Sequence, residues 1–196
     1  MTVPLGREEN DFYRTPPDVT RALLVKESFG PAIWEPACGD GAISDVLKAA
    51  GHDMFSTDLI DRGYGESGRD FLRQTELAAP EIVTNPPFKA ADDFVLHALD
   101  LGASKVAMLL RLAWLEGERR RVKVFSVRPP ARVWVFSGRP TLWHGTDPDA
   151  RTTGGAIAYA WFVWDAAAAP GGPVLGWIGR NDVRDRQAQE LEELCA

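Results

Sequence analysis

Short apolar runs alternate with amphipathic stretches along most of the chain, a pattern typical of a parallel sheet whose strands are joined by helices. The run at 106–110 is apolar at every position, which predicts a strand that is buried on both faces. Predicted strands lie at 32–34, 54–57, 81–84, 106–110, 131–136 and 156–164, with a short one near 69–71. The last two long runs are expected to complete the sheet. The pattern therefore predicts an α/β fold.

Apolar residues spaced three or four positions apart predict helices between these strands. The first helix opens at Thr15-Pro16-Pro17-Asp18, with Thr15 as the N-cap and proline in the first turn, and runs to about Phe29. The second spans 43–50 and ends at Gly51, where glycine favours termination. Further helices are predicted at 90–101, at 114–125 with a basic face, and at 183–194 as a closing helix.

The length and composition suit one domain. With 196 residues, 45% hydrophobic content and seven tryptophans, the chain can bury a core without disulfides or metals. Its two cysteines, Cys38 and Cys195, lie far apart and form no metal or disulfide pattern, so no metal site is expected. No apolar run approaches the roughly 20 residues of a membrane span, and the N-terminus has no signal core, so we expect a cytoplasmic protein.

The net charge of −6 disfavours binding to nucleic acid, because DNA affinity comes largely from lysine and arginine neutralising phosphates. The middle of the chain is nevertheless locally basic, whereas the acidic residues lie mainly before Asp100 and after Asp182. This basic segment contains Arg111, Arg119, Arg120, Arg121, Lys123, Arg128, Arg132 and Arg139. The charge distribution thus permits nucleic-acid binding without indicating it.

Residues with cofactor-binding chemistry follow the predicted strands, and parallel α/β sheets bind ligands beyond the carboxyl ends of their strands. The first strand leads into Gly39-Asp40-Gly41, where glycines let the backbone approach a ligand. Ser44 stands where a dinucleotide fingerprint requires glycine, and no Walker sequence is present. Asp58 ends the second strand, where a carboxylate can accept bonds from both ribose hydroxyls. Asp70 can accept a bond from an adenine amino group while Phe71 packs on the ring. Together and in order, these residues indicate a nucleoside cofactor.

The tetrapeptide Asn85-Pro86-Pro87-Phe88 directly follows the predicted strand at 81–84. Taken alone, Asn-Pro-Pro is a turn signal. Behind the cofactor residues, it predicts catalysis on a planar amine, because the Asn85 side-chain oxygen and the Pro86 carbonyl can each accept one N–H. Two fixed acceptors aim the nitrogen lone pair at an electrophile. The prolines Pro86 and Pro87 fix φ and keep these acceptors rigid, and Phe88 can stack on an extruded base.

The segment Glu35-Pro36-Ala37-Cys38-Gly39-Asp40-Gly41, followed by this tetrapeptide, resembles class I S-adenosylmethionine-dependent methyltransferases. Within that class it is most similar to the small phage- and prophage-type DNA adenine-N6 methyltransferases, over residues 12–164. The resemblance implies a Rossmann-like, mostly parallel seven-stranded sheet with helices on both faces. It also implies S-adenosyl-L-methionine as cofactor and DNA as substrate, in the cytoplasm or a host's cytoplasm. By the family's pattern, the cofactor is bound by Phe12, Tyr13, Thr15, Pro16, Glu35, Ala37, Gly39, Gly41, Asp58, Asp70 and Phe71.

Recognition of the target is less determined by the sequence. Arg119 and Arg120 are either part of a solvated helix face or a patch that contacts phosphates. The polar loop at 138–155 has a length that usually signals function or disorder. Its Arg139, Trp143 and Arg151 are candidate nucleic-acid contacts, although Trp143 is equally a candidate core anchor. The chain is expected to be a single methyltransferase domain, 1–196, without a separate target-recognition domain, which leaves sequence specificity and oligomeric state open.

Alternative functions share parts of this pattern. RNA-base and protein-glutamine methyltransferases also carry Asn-Pro-Pro-(Tyr/Phe), because a side-chain amide and an exocyclic amine pose the same geometric problem. A non-catalytic cofactor- or nucleic-acid-binding subunit is a rival of a different class. The intact set Glu35, Asp58, Asp70, Asn85 and Phe88 argues against that rival, since none is replaced by an incompatible residue type.

Overall fold

A computed structural model describes residues 12–144, 157–169, 171–179 and 182. Its strands are β1 (Tyr13–Arg14), β2 (Ala32–Glu35), β3 (Asp53–Ser56), β4 (Glu81–Thr84), β5 (Lys105–Arg111), β6 (Arg132–Phe136), β7 (Trp143–His144), β8 (Tyr159–Asp165) and β9 (Val174–Ile178). Its α-helices are α1 (Pro17–Lys26), α2 (Ala42–Ala49), α3 (Ala91–Asp100) and the single turn α4 (Glu118–Arg120).

Seven of these strands form one sheet in the order β3-β2-β4-β5-β8-β6-β9. The first four run parallel to one another. Strand β8 lies antiparallel between β5 and β6, and β9 pairs in parallel with β6 at the edge. The prediction of a mostly parallel seven-stranded sheet is therefore confirmed. Parallel pairing brings the carboxyl ends of β2, β3 and β4 to the same edge of the sheet, which is where ligands bind in such folds.

Helices cover both faces of this sheet, as predicted. Strand β5 illustrates the two environments, because its successive side chains point to opposite faces. Met108 packs in the core beneath α3 with Val95, whereas Leu109 packs in the core beneath α1 and α2 with Leu23 and Leu47. All five side chains are fully buried, and full burial of one such side chain contributes about 1.5–3 kcal/mol. The uninterrupted apolar run thus specifies a strand covered on both sides.

The first helix is shorter than predicted and begins differently. Helix α1 ends at Lys26 rather than near Phe29, because Glu27 adopts an extended conformation, with φ −130° and ψ 137°. At the other end, Pro16 occupies the N-cap position and no side chain caps the helix. The prediction of Thr15 as the cap is therefore wrong. Its hydroxyl instead accepts a hydrogen bond from Asn85 Nδ2.

Two further predicted elements are wrong. Instead of a strand near 69–71, a 3-10 turn spans Phe71–Arg73, and Asp70 caps it by accepting a hydrogen bond from the Leu72 N–H at 3.1 Å. Such local side-chain bonds compete with strand pairing. Instead of one helix over 114–125, a 3-10 turn at Leu112–Leu115 precedes α4 and a π-helical turn. Gly117 interrupts the helical path with φ +110°.

The end of the sheet also differs from the prediction. The runs at 131–136 and 156–164 are not the last strands, because β9 extends the sheet beyond β6. Strands β1 and β7 form a separate antiparallel pair, with Arg14 opposite Trp143. The remainder of the predicted loop and the predicted closing helix at 183–194 lie outside the described residues. No helix in the described ranges is long and apolar enough to cross a membrane.

An ion cluster joins α1 to the sheet at the edge opposite the carboxyl ends of β2 and β4. Glu27 is only 5% exposed and forms salt bridges with Lys105, at 2.6 Å, and with Arg132. Its carboxylate also accepts a hydrogen bond from Trp134 Nε1 at 2.8 Å. Asp165 completes the cluster through Arg132 and Lys105. Burial acts to raise the pKa of Glu27, but these hydrogen bonds together outweigh it, so the pKa lies below its usual value.

Candidate active site

A cavity of about 370 Å³ opens at the carboxyl ends of β2 and β4, a size within the range of small-molecule sites. All four residues of the predicted catalytic loop, 85–88, line this cavity. The predicted cofactor residues that line it are Phe12, Tyr13, Thr15, Glu35, Ala37, Asp58, Asp70 and Phe71, whereas Pro16, Gly39 and Gly41 do not. The fold thus brings most of the predicted site to one place.

The turn between β2 and α2 depends on two glycines. Gly39 and Gly41 have φ values of +56° and +83°, a left-handed conformation that other residues rarely adopt. A side chain at Gly39 would also clash with the Phe12 ring, and one at Gly41 would clash with the Tyr64 ring. Gly39 N donates a hydrogen bond to Asp58 Oδ2 at 2.8 Å. These glycines therefore shape the cavity wall and orient a carboxylate, although they do not line the cavity themselves.

Asp58 lies just beyond β3 and is 9% exposed. Its two oxygens each accept one backbone N–H, Oδ2 from Gly39 and Oδ1 from Ile60, both at 2.8 Å. Each carboxylate oxygen keeps a lone pair for a further donor, such as a hydroxyl. Leu59 and Ile60 line the cavity beside it. Neither residue was among the predicted site residues, although an apolar pair directly after a strand-ending aspartate is a usable signal.

Glu35, the last residue of β2, is buried without a salt bridge among the described residues, at 1% exposure. The Ser44 hydroxyl donates a hydrogen bond to Glu35 Oε2 and lies 2.6 Å from the Ser56 hydroxyl. Burial raises the pKa of the Glu35 carboxyl well above its usual value, and the nearby carboxylates of Asp58 and Asp40 add to this rise. The site therefore holds a carboxyl group that a cationic ligand would ionise. The hydroxyl that donates a hydrogen bond to this carboxyl belongs to Ser44, the residue that stands where a dinucleotide fingerprint requires glycine.

Asp70 and Phe71 are placed differently from each other. Asp70 lines the cavity while its Oδ1 caps the following turn. Phe71 is only 2% exposed and packs edge-on against Trp34, with ring centroids 5.2 Å apart, and in a tilted arrangement against Phe94, at 4.8 Å. Phe71 thus contributes mainly to the core and only an edge to the cavity. Leu72, which is 36% exposed, lines the cavity next to it.

Asn85 has its amide group held on one side only. Its Nδ2 donates to the Tyr13 carbonyl and to Thr15 Oγ1, both at 3.0 Å. Its Oδ1 is buried and has no hydrogen-bond partner among the described residues. Because the Tyr13 carbonyl can only accept, it identifies the bonded atom as the nitrogen. The amide therefore presents an unsatisfied acceptor, a state that costs about 1–3 kcal/mol.

Phe88 lies half-buried among aromatic and cationic neighbours. Its ring centroid is 5.4 Å from that of Tyr13 and 5.8 Å from that of Tyr159, both tilted. The guanidinium of Arg111 lies 4.4 Å from the ring centroid, within the range of a cation–π interaction. Pro87 supports the loop by accepting a hydrogen bond from Ala90 N at 2.9 Å. The ring is thus fixed by packing before any target arrives.

Residues 12–15, which we call the N-terminal strap, cross the cavity and are tied to both of its sides. Phe12 packs against the Gly39 turn and lies 4.3 Å from the guanidinium of Arg62. Arg14 forms an ion pair with Asp40 and lies over the Trp143 ring at 5.4 Å. Arg14, Asp40 and Arg62 all line the cavity. None of the three was among the predicted site residues, because residues so far apart in the chain leave no local pattern.

The candidate nucleic-acid contacts have unequal exposure. Arg119 and Arg139 are exposed. Arg120 is half-buried and donates to Asp92 Oδ1 at 3.0 Å and to the Trp114 carbonyl at 3.0 Å, which engages its guanidinium within the fold. Trp143 is only 5% exposed in the strand that pairs with β1, so its placement matches the anchor alternative. Arg151 lies outside the described residues.

The described part of the chain offers neither a metal site nor a reactive thiol. It contains no group of three or more His, Cys, Asp or Glu residues placed to hold a metal ion. Cys38 lines the cavity, but burial raises its pKa to about 12, with Glu35 and Asp58 adding to the rise. A thiol in this state is a poor nucleophile at neutral pH. The chemistry of the site therefore resides in its carboxylates, the Asn85 amide and the aromatic ring of Phe88.

Comparison with known proteins supports the fold. No protein-family model and no curated protein matches the sequence. A type I restriction-modification methyltransferase subunit from Streptococcus thermophilus superposes with a TM-score of 0.61 at 11% identity, over 83% of this chain and 46% of that one. A putative RNA methyltransferase from Pyrococcus horikoshii gives a TM-score of 0.60 at 15% identity, over 83% of this chain and 91% of that one.

A putative class I S-adenosylmethionine-dependent methyltransferase from Listeria monocytogenes aligns over 95% of this chain and 73% of its own. Its TM-score is 0.58 at 12% identity. The chain spans about half the length of the restriction-modification subunit, 46%. At identities this low, the similarity concerns architecture and does not transfer a substrate. The chain has the Rossmann-like fold of class I S-adenosylmethionine-dependent methyltransferases.

Proposed function

We propose that this protein transfers a methyl group from S-adenosyl-L-methionine to an exocyclic amine, and that the amine is N6 of adenine in DNA. The observation that carries the proposal is the Asn85 amide, whose N–H groups are bonded to the strap while its oxygen is buried without a partner among the described residues. Such an acceptor, on a side chain that lines the cavity, suits a substrate that brings an N–H donor.

The residues around the cavity fit the proposed cofactor. Glu35 offers a buried carboxyl group that an ammonium would pair with. Asp58 has lone pairs available for ribose hydroxyls, and Leu59 and Ile60 give an apolar wall for an adenine ring. Phe12 and the rest of the strap would cover the methionine part. When bound, the cofactor supplies a methyl group on a positively charged sulfur.

The catalytic loop would act by orientation. Asn85 Oδ1 would accept one N–H of the target amine and the Pro86 carbonyl the other, which favours a pyramidal nitrogen with an exposed lone pair. No strong general base is needed, because the nitrogen loses its extra proton to solvent after it has accepted the methyl group. Effective molarities of about 10⁵–10⁸ M mark the ceiling of what such positioning supplies.

Phe88, with Tyr13 and Tyr159 beside it, would stack on the extruded base. Arg119, Arg139 and Arg151 are the proposed phosphate contacts. Proteins with this fold include a restriction-modification methyltransferase subunit and a putative RNA methyltransferase, so the fold is compatible with either nucleic acid. The motif resemblance makes DNA the first candidate target and RNA the second.

One assay tests the proposal. The full chain is incubated with methyl-labelled S-adenosyl-L-methionine and offered duplex DNA, single-stranded RNA and mixed protein in parallel, and the labelled product is identified after hydrolysis. A matched duplex in which purine replaces every adenine removes the exocyclic amine alone. Label in N6-methyladenine that is absent with the purine duplex supports the proposal. Label only in RNA or protein contradicts the DNA target, and no transfer to any amine contradicts the methyltransferase.

A further inference from the structure

We propose that Thr15 is a positioning residue that sets the orientation of the Asn85 amide, so that the strap over the cavity and the acceptor for the target amine form one unit. This inference rests on the proposed function and assigns to Thr15 a role beyond lining the cofactor cavity. It would make Asn85 an acceptor only, whatever target the enzyme uses.

The side chain of Asn85 has no N–H left to donate to a target. An asparagine amide has two N–H donors and one carbonyl oxygen. In this protein the Tyr13 carbonyl takes one N–H and Thr15 Oγ1 the other, each at 3.0 Å, so the donor capacity of Asn85 is used up. A target that offers only an acceptor therefore finds no partner on this side chain, whereas an amine N–H does.

The two hydrogen bonds also hold the plane of the Asn85 amide in one orientation. The terminal torsion of asparagine is broad, so one hydrogen bond leaves the amide plane free to turn. A second acceptor in a different direction fixes the plane. The Tyr13 carbonyl belongs to the backbone and identifies the nitrogen, and the Thr15 hydroxyl is the side-chain group that supplies the second constraint.

Thr15 is buried, and its neighbours in the chain are held in place by other contacts. Its side chain is 3% exposed, so water does not readily replace the hydroxyl. Its neighbours in the strap are held independently, Arg14 by the ion pair with Asp40 and Tyr13 by pairing of β1 with β7. Phe12 to Thr15 also line the cavity, so the residues that cover the cavity are the ones that orient the amide.

The test compares Thr15→Val, which removes the hydroxyl at nearly constant shape, with Thr15→Ser, which keeps it. Thr20→Val is the matched control, because Thr20 is also fully buried and its hydroxyl has no hydrogen-bond partner in the described part of the chain. The measurements are kcat and KM for the target, cofactor affinity by calorimetry, and hydrogen exchange of the Asn85 side-chain amide by NMR.

We expect Thr15→Val to lower kcat by about 10- to 100-fold, the scale of a misplaced reacting group. KM and cofactor affinity should stay within a few-fold, and the Asn85 amide protons should exchange faster. Thr15→Ser should restore kcat and exchange protection, and Thr20→Val should match the wild type. A Thr15→Val variant with wild-type kcat and wild-type exchange would overturn the inference while leaving the proposed function intact.

Hydrogen exchange of the Asn85 side-chain amide can be measured whether or not the protein methylates an amine. If the wild-type protein methylates no amine, the proposed function fails, and the exchange data alone decide the role of Thr15. Faster exchange in Thr15→Val but not in Thr20→Val would then support the positioning role. Equal exchange in the three proteins would overturn it.

Discussion

Asn85 and Glu35 each carry a polar group that the described residues leave incompletely satisfied. The Asn85 oxygen is buried without a hydrogen-bond donor, and the Glu35 carboxyl is buried without a cation. Folded proteins satisfy the great majority of such groups, and exceptions collect where ligands bind. Both groups line the same cavity. At the residue scale, these two side chains therefore give the clearest indication of what the cavity binds, namely a ligand with an N–H donor and a ligand with a cationic group.

Substitutions at Asn85 and Asp58 should separate the target amine from the cofactor. Asn85→Ala should abolish turnover and leave cofactor affinity within a few-fold, because Asn85 is assigned to the target. Asp58→Ala should weaken cofactor binding by about 1–3 kcal/mol, the cost of losing hydrogen bonds to a charged acceptor. Calorimetry and single-turnover methyl transfer measure the two effects. A loss of cofactor affinity in Asn85→Ala with high residual turnover would contradict its role.

Glu35 should make both stability and cofactor affinity depend on pH. Its pKa is raised by burial above the ordinary value of 4.5. Above pH 4.5 the folded protein then binds more protons than the unfolded chain, so the free energy of unfolding should fall as the pH rises toward the folded pKa. Glu35→Gln should remove this decline and stabilise the protein at pH 8. Cofactor affinity should rise with pH in the wild type, because a bound ammonium favours the ionised carboxyl.

Urea unfolding at several pH values and calorimetry with the cofactor test this expectation. Glu76→Gln is a suitable control, because Glu76 is exposed and should leave the pH dependence unchanged. If Glu35→Gln keeps the wild-type slope of unfolding free energy against pH, burial of Glu35 is not what sets that slope.

At the scale of elements, the cavity is made by the strap closing on the β2–α2 turn. Phe12 approaches the Gly39 backbone so closely that only glycine fits there, and the Gly39 N–H holds Asp58. Antiparallel pairing of β1 with β7 holds the strap from its outer side. Packing between these elements, more than any one contact, keeps the cavity covered.

Gly39→Ala should weaken cofactor binding through this packing. The matched change Gly51→Ala occurs at a positive φ of +94° with open space around it, so it brings only backbone strain, about 1–2 kcal/mol. Gly39→Ala adds a clash with the Phe12 ring. We expect both variants to lose stability in thermal unfolding, and only Gly39→Ala to lose cofactor affinity, by about tenfold or more. Equal affinities in the two variants would contradict a packed strap.

At the scale of the whole molecule, the sheet separates stability from chemistry. The cavity lies at the carboxyl ends of β2 and β4, and the ion cluster around Glu27 lies at the opposite edge, where it joins α1 to β5 and β6. Two apolar cores between these edges cover both faces of the sheet. Changes in the ion cluster should therefore alter stability without altering the geometry of the cavity.

Glu27→Gln should destabilise the protein by about 3–5 kcal/mol, because it leaves the buried Lys105 and the half-buried Arg132 with Asp165 as their only carboxylate partner in the described cluster. Since the pKa of Glu27 is lowered from 4.5, its contribution is present above that pH and is lost as the pH falls through the folded pKa. Urea unfolding at pH 7 and pH 4 should show a smaller pH dependence in the variant. Glu118→Gln, in an exposed pair with Arg121, should change nothing measurable, and an equal effect of both variants would contradict a buried cluster.

How much could be predicted from sequence depended on whether the signal was local. Strand β4 was predicted at its observed bounds, and β5 within one residue at each end, because an apolar run specifies a buried strand by itself. The helix predicted over 114–125 failed, because Gly117 interrupts a pattern that spacing alone made continuous. The sequence pattern predicts a short strand around Asp70, but the Asp70 carboxylate caps a turn. Hydrophobic periodicity does not detect such a hydrogen bond between a side chain and the nearby backbone, which competes with strand pairing.

The amino-acid sequence alone predicts the α/β class, the mostly parallel sheet and the order of a glycine turn, an aspartate and Asn-Pro-Pro-Phe at successive strand ends. Each of these follows from hydrophobic patterning and short-range residue chemistry. The folded structure was needed to establish that Asn85 is bonded through its nitrogen to Tyr13 and Thr15, 72 and 70 positions away. It also shows that Phe71 is mainly core and that Trp143 is buried. Contacts between distant residues depend on how the packed elements meet, and that geometry leaves no periodic trace in the chain.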